Sequence, residues 1–381
     1  MVATGSRRQG DSRIGKDKLH IINRQTLLRK TPLIALQKAE EYWEGEGCPG
    51  SNSNPNVVLV DPADCHEWTA FREEMSENIR QLFSKDNVNT FLNRPLDEKE
   101  LASFTWAIEA AGLVSEQAVE RLWDHVNGLL NVMQKLLAAE IDETLDGRYI
   151  RIGDGTCARK QCEQHPEKSS QTKADLAGYE YIPRSKKLET KQMGKERDNI
   201  DNRIPGDIKV SWKLTREMLP PYSEEMKASK SYANYLEQAI RVLSQIHFYM
   251  DKHETRYGYI TTNEICIFFR RRGTGWGHLD ISPAVSHGVE GDFETGTFNS
   301  KMVLFYLHRV VANDEAQWKL KSCWSTIKKR ATGRTATTSK SITKRTIRVE
   351  ATAQAASLSL SLDMKLAIPL TVKGSKSKGK K

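Results

Sequence analysis

Apolar residues spaced three and four apart mark the helices of this chain. Leu27, Leu28, Leu33 and Leu36, with charged positions between them, predict an amphipathic helix over Ile21 to Trp43. The same spacing predicts helices over Pro62 to Phe83, Leu96 to Ala111 and Ser115 to about Asp142, the last two opening on acid-rich first turns. Further along, Tyr232 to Met250 and Ser300 to Val311 read as helices. Strand-like runs are "LAGYEYI" after Asp175, "DIKVSW" from Asp207, "YGYITT" from Tyr257 and "EICIFF" from Glu264, with "VVLV" at Val57 a further short one. Between them, "EGEGCPGSNSNPN" reads as a loop and Gly153 to Lys173 is loop-like. The charged run "RSKKLETKQMGKERDNIDNR" reads as a surface excursion. This order predicts an α/β fold, a small sheet flanked by helices, preceded by a helical layer.

Composition changes that picture mainly at the ends. Hydrophobic content is 38%, low for a chain long enough to bury a large core, and the deficit lies in the polar termini. The expected division is a disordered basic N-terminus over 1–20, a helical region over 21–150, the α/β unit over 151–325 and a disordered basic tail over 326–381. That tail holds 14 Lys or Arg against Glu350 and Asp363, so its net charge of +12 exceeds the +9 of the whole chain. The body before it is therefore net acidic. The tail can attract polyanions, and "KKR" at Lys328 could serve a nuclear address. A solubilising low-complexity tail is the competing reading.

Six scattered cysteines, no apolar leader and no run of membrane-spanning length point to an intracellular protein, nuclear or cytoplasmic, with reduced thiols and no membrane partner. Cys157, Cys162 and His165 have a zinc-like CxxxxCxxH spacing, but a fourth ligand is missing nearby, with Cys65 and His66 distant candidates. Nothing in the order of His, Ser and Cys suggests a nucleophilic triad.

The chemistry concentrates in "RIPGDIKVSWKL". Asp207 and Lys209 share one face of a strand about 6.6 Å apart, a spacing that suits two groups acting on one ligand. Asp175 heads another strand 32 positions earlier. Two carboxylates and a lysine converging from adjacent strands would form a hard-cation site beside an ammonium, suited to Mg²⁺ and a phosphate. A plain inter-strand salt bridge explains the same residues.

On the helix from Tyr232, Leu236, Ala239, Ile240, Leu243, Ile246 and Met250 form a core stripe. Gln238, Val242, Gln245 and Tyr249 form a second, in which Gln245 and Tyr249 stand one turn apart as QxxxY. In the helix from Ser115, the stripe Val119, Leu122, Val126, Leu130, Met133, Leu137 continues to Glu140, a candidate third acid with Glu143 in reserve. Lys213, Arg256 and Arg270 are candidate phosphate contacts, as are Arg271 and Arg272. "GTGWG" at Gly273 reads as a hairpin turn rather than a phosphate loop.

The order "KADLAGYE", "PGDIKVSWK", a helix ending "QIHFYM", then "TRYGYITTNEICIFFRR" resembles the PD-(D/E)XK nuclease superfamily, and more narrowly a group of fungal PD-(D/E)XK nuclease-like proteins. The similarity covers Asp175 to about Trp318. It implies a restriction-endonuclease-like αβββαβ core, with Asp175 the first catalytic acid, Asp207 and Lys209 the (D/E)xK pair, and Gln245 with Tyr249 the QxxxY helix. Asp175 and Asp207, with Glu140 as a guess, would be the metal ligands. Ala174 stands where the signature has proline. The implied activity is Mg²⁺- or Mn²⁺-dependent hydrolysis of DNA; the alternative is an inactive nuclease-fold module that binds nucleic acid or a protein.

Overall fold

The computed structural model describes residues 59–93, 116–140, 149–155, 158, 174–181, 200–211, 213–273, 275–313 and 315–323. The expected helices at Ile21 to Trp43 and Leu96 to Ala111, both termini, Trp212, Glu143 and the Cys157, Cys162, His165 cluster lie outside these residues. Among the described residues no helix is long and apolar enough to cross a membrane.

The strands are β1 (Cys65–Glu67), β2 (Tyr149–Asp154), β3 (Leu176–Tyr181), β4 (Gly206–Ile208), β5 (Tyr257–Thr261), β6 (Ile265–Arg271), β7 (Leu279–Ile281) and β8 (Val285–Ser286). The helices are α1 (Phe71–Ser84), α2 (Asp86–Asn93), α3 (Glu116–Glu140), α4 (Glu224–Ala228), α5 (Tyr232–Lys252), α6 (Ser300–Asn313) and α7 (Glu315–Trp318). The strands form one mixed sheet in the order β1-β7-β6-β5-β4-β3-β2, with β8 also on β6. From α3 onward the elements run helix, three antiparallel strands, helix α5, then β5 parallel to β4. The long crossover through α5 is what a parallel pair requires.

Both faces of the sheet are covered. Along β6 the side chains alternate: Cys266 and Phe268 join the core with α1, α3 and α6, while Ile267 and Phe269 join the core with α5. Val119, Val126, Leu130, Met133 and Leu137 of the α3 stripe enter the same core as Ile150, Ile152 and Leu304. The boundary expected at residue 150 therefore falls inside β2, and α3 is a layer of the α/β unit rather than of a separate helical region.

Other differences have local causes. The helix expected over Pro62 to Phe83 begins at Phe71, because Cys65–Glu67 pairs in parallel with β7 after a 3-10 turn capped by Asp61. Leu59 and Val60 form no strand; Val60 N–H donates to Ser244 Oγ at 2.8 Å. β2 occupies part of the stretch read as loop, its alternating Ile150 and Ile152 buried. β4 stops at Ile208, since Ser211 N–H turns to the Asn263 side chain at 3.1 Å. Gly273 and Gly277, at φ 61° and 83°, lie in the connection between antiparallel β6 and β7, in keeping with a hairpin turn.

Gly206 packs against Tyr259: a Cβ there would stand 2.4 Å from the ring carbon Cζ, on a fully buried side chain that cannot swing away. Gly206→Ala is expected to cost about 1–3 kcal/mol, with partial recovery on adding Tyr259→Leu. Urea denaturation of the single and double variants checks this.

Candidate functional site

Register places the acids. Leu176 pairs with Gly206 in antiparallel β3 and β4, which sets Asp175 opposite Asp207. Leu176 and Ile208 enter the α3–α6 core, so the positions beside them in each strand turn the other way, toward α5. Asp207 also neighbours Ile260 of β5, which packs in the α5 core.

There the two stripes of α5 divide their tasks. Leu243, Ile246 and Met250 fill the core. Gln245 Nε2 donates to Asp207 Oδ1 at 3.2 Å and to the Tyr249 hydroxyl at 2.9 Å, so both amide hydrogens are used and its amide oxygen is turned away. Lys209 Nζ stands 2.6 Å from Asp207 Oδ2 and donates to the Ile208 carbonyl at 3.2 Å. Asp175 Oδ2 accepts from Ile208 N–H at 2.9 Å. Five residues predicted from spacing, Asp175, Asp207, Lys209, Gln245 and Tyr249, thus share one cluster. The cluster also holds an ion pair, between Asp207 and Lys209, within one segment rather than between neighbouring strands.

Burial shapes the electrostatics. Burial first, then the Asp207 carboxylate, raises Asp175 from 3.8 to about 7, with Lys209 and the Ile208 amide pulling the other way. Tyr249 is driven far above its ordinary range by burial and then by Asp207, so it stays a phenol and keeps its proton to donate. Asp207 itself is fully buried. Its Oδ2 receives no hydrogen bond of normal geometry, although the Lys209 ammonium is in ion-pair contact.

That under-coordinated buried oxygen, beside a second carboxylate, fits a hard cation that takes few protein ligands and keeps its waters. Among the described residues no group of three His, Cys, Asp or Glu is placed to hold a metal. Glu140 is the last residue of α3, and its side chain lies outside the described residues. Of the distant zinc candidates, His66 is exposed and Cys65 is a buried thiol donating to the Gly277 and Asp61 carbonyls, raised to about 12 by burial and by Asp64 and Asp61.

The candidate phosphate contacts divide. Lys213 stays near the cluster, in the turn its N–H closes on the Val210 carbonyl. Arg256 precedes β5, four residues and about 13 Å along the chain from Ile260, the neighbour of Asp207. Arg270 is held by Glu74 and Asp280, each at 3.0 Å, and lies 4.1 Å over the Trp68 ring. Arg271 is almost wholly buried against Asp251 at 2.8 Å, and Arg272 pairs with Asp280. These last three arginines are held by acids of the sheet and its flanking helices: Asp280 across the β6–β7 hairpin, and Glu74 and Asp251 from helices distant in the chain. The Ile208 amide that donates to Asp175 and the Asn263 anchor behind Lys209 are invisible to spacing.

No family model matches the chain, and comparison with curated proteins and with solved structures finds no significant relative.

Metal-free Asp175 sets a pH dependence. Between 3.8 and about 7 the folded chain holds a proton on Asp175 that the unfolded chain has released, so stability falls as pH rises through that window. Asp175→Asn keeps an acceptor for Ile208 N–H and removes the buried charge. It is expected to flatten the slope and stabilise the protein in EDTA at pH 8 by about 2 kcal/mol. Thermal melts from acid to alkaline pH test this; an Asn variant that melts below the parent at pH 8 refutes it.

Proposed function

We propose that this chain is a metal-dependent phosphodiesterase of the PD-(D/E)XK type that hydrolyses nucleic acid, with DNA as the expected substrate and Mg²⁺ or Mn²⁺ as the ion. The observation that carries the reading is the meeting of Asp175, Asp207 and Lys209 at one point of the sheet, with Gln245 fixed against Asp207. The element order α3-β2-β3-β4-α4-α5-β5, which follows the αβββαβ pattern apart from the five-residue α4, supports it.

Asp175 and Asp207 would hold the ion. When bound, it would supply positive charge against the phosphate oxygens as negative charge builds on them. Lys209, with its ammonium fixed at the cluster, donates to a phosphate oxygen or orients the attacking water. Gln245 holds the Asp207 carboxylate in one orientation. The Tyr249 hydroxyl, its oxygen already engaged by Gln245, offers its proton toward the same space.

The test is incubation of the purified protein with linear, circular and single-stranded DNA plus Mg²⁺ or Mn²⁺. Cleavage that disappears in Asp207→Asn is the expected result; no cleavage of any substrate overturns the reading. A binding module without catalysis is favoured by one observation, the two-carboxylate set among the described residues. It predicts metal-independent, salt-sensitive binding that weakens when the residues after Ser325 are removed.

A further inference from the structure

The site-side face of β2 and β3 carries a second feature, whose meaning rests on the proposed action on nucleic acid. In β2, Ile150 and Ile152 face the α3–α6 core; in β3, Leu176 does so, and a Cβ at Gly178 would meet Ile204 and His308. Strand alternation therefore turns Tyr149 and Arg151, and Asp175, Tyr179 and Tyr181, to the opposite face. Tyr149 lies directly across from Tyr181, and Arg151 from Tyr179. The Tyr149 and Tyr181 ring centroids are 5.2 Å apart, and the Arg151 guanidinium lies 5.7 Å from the Tyr181 ring centre.

This row leads into the carboxylates. Tyr179 follows Asp175 by four residues on the same face, about 13 Å along the strand, and Tyr181 lies about 6.6 Å beyond. Charge is sorted by face as well. Asp154 and Glu180 fall on the opposite side by the same alternation, where Glu180 pairs with Arg203. The charge that β2 brings to the tyrosine side is the exposed cation Arg151. The apolar core under α5 takes in Ala174 but none of these aromatic rings. Tyr179 and Tyr181 remain partly exposed.

The geometry points to a base-stacking platform: Tyr179 and Tyr181, backed by Arg151, receive the unpaired bases of a single-stranded nucleic acid whose backbone continues to Asp175, Asp207 and Lys209. Two tyrosines about 6.6 Å apart match twice the ~3.4 Å stacking rise of a nucleic-acid strand. A duplex hides its base faces inside the stack, so rings presented from a sheet engage only bases that are already free. The guanidinium reinforces the ring and offsets phosphate charge without reading sequence.

Fluorescence anisotropy in EDTA, where cutting is prevented, tests the proposal on the full chain with oligo(dT), oligo(rU) and a DNA duplex of equal length at one salt concentration. A single strand is expected to bind about ten-fold more tightly than the duplex. Tyr181→Ala should weaken single-strand binding about ten-fold and leave duplex binding unchanged, and Tyr181→Trp should restore it. The dT and rU arms show which sugar is accepted. Equal or tighter duplex binding, or unchanged single-strand binding in both Tyr179→Ala and Tyr181→Ala, overturns the proposal. Circular dichroism checks folding; if Tyr181→Ala does not fold, Arg151→Gln on the exposed side decides, with a several-fold loss expected and no loss refuting. Tyrosine-dependent binding without any cleavage in Mg²⁺ would remove the hydrolytic reading alone. Single-strand cleavage at parental rates in the tyrosine variants, at sub-saturating substrate, would remove the platform alone.

Discussion

Lys209→Met is expected, on the proposed hydrolytic reading, to lower DNA cleavage by about a thousand-fold, within the range seen when one preorganised charge is lost from a transition state. The Lys209 ammonium lies between Asp207 Oδ2 at 2.6 Å and the Ile208 carbonyl at 3.2 Å, and its side chain is 12% exposed. Methionine keeps most of the stem's packing, so the change isolates the charge. A second effect compounds the first. Lys209 lowers the Asp175 pKa, and without it the two carboxylates repel each other unrelieved, which raises the proton affinity of Asp175 further. Ion binding should then require higher pH, and raising the pH should recover part of the loss. Arginine is not expected to substitute, because its planar fork does not fit where a compact ammonium is held. Single-turnover cleavage across pH, with melting curves to confirm folding, measures both effects. A variant that cuts within ten-fold of the parent would remove Lys209 from the chemistry.

Arg271→Met carries the largest expected cost to stability, about 3–5 kcal/mol. Arg271 and Asp251 are both buried, in ion-pair contact at 2.8 Å. Asp251 also accepts from Cys323 N–H at 2.8 Å and Ser322 Oγ at 2.7 Å, while Arg271 donates to the Met250, Thr255 and Lys321 carbonyls. The pair therefore ties β6, the end of α5 and residues 321–323 together. Removing the cation leaves a buried carboxylate without its counter-charge, which costs far more than the intact pair contributes. The double variant Arg271→Met with Asp251→Leu should be more stable than either single one. Urea denaturation of the four proteins in the cycle measures the coupling, and additive effects would refute the assignment. Hydrogen exchange should show residues 319–323 opening first in Arg271→Met.

Four of the cluster's five members were legible from local signatures, and Asp175 only as the head of a separate strand-like run. Asp207 and Lys209 share a strand face at i and i+2, Gln245 and Tyr249 a helix face at i and i+4, and α5 is long enough to show two stripes. The short apolar run Ile265 to Phe269 marked β6. β1, β7 and β8 were not legible, since strands of three, three and two residues establish no period. They exist because β6 and β7 offer them edges to pair with. Arg270 and Arg271, candidate phosphate contacts by sequence, are engaged by Glu74 and Asp251, which come from helices whose placement the local sequence does not reveal.

The single register contact between β3 and β4, Leu176 with Gly206, bears on how the chain tolerates change. The long excursion that joins the strands leaves β3 at its other end, after Tyr181, so both acids lie about 20 Å along the strand from its departure. Residues can accordingly be gained or lost at the excursion's tip without altering the separation of the two carboxyl groups. The cluster is insulated from variation in the segment that connects its halves.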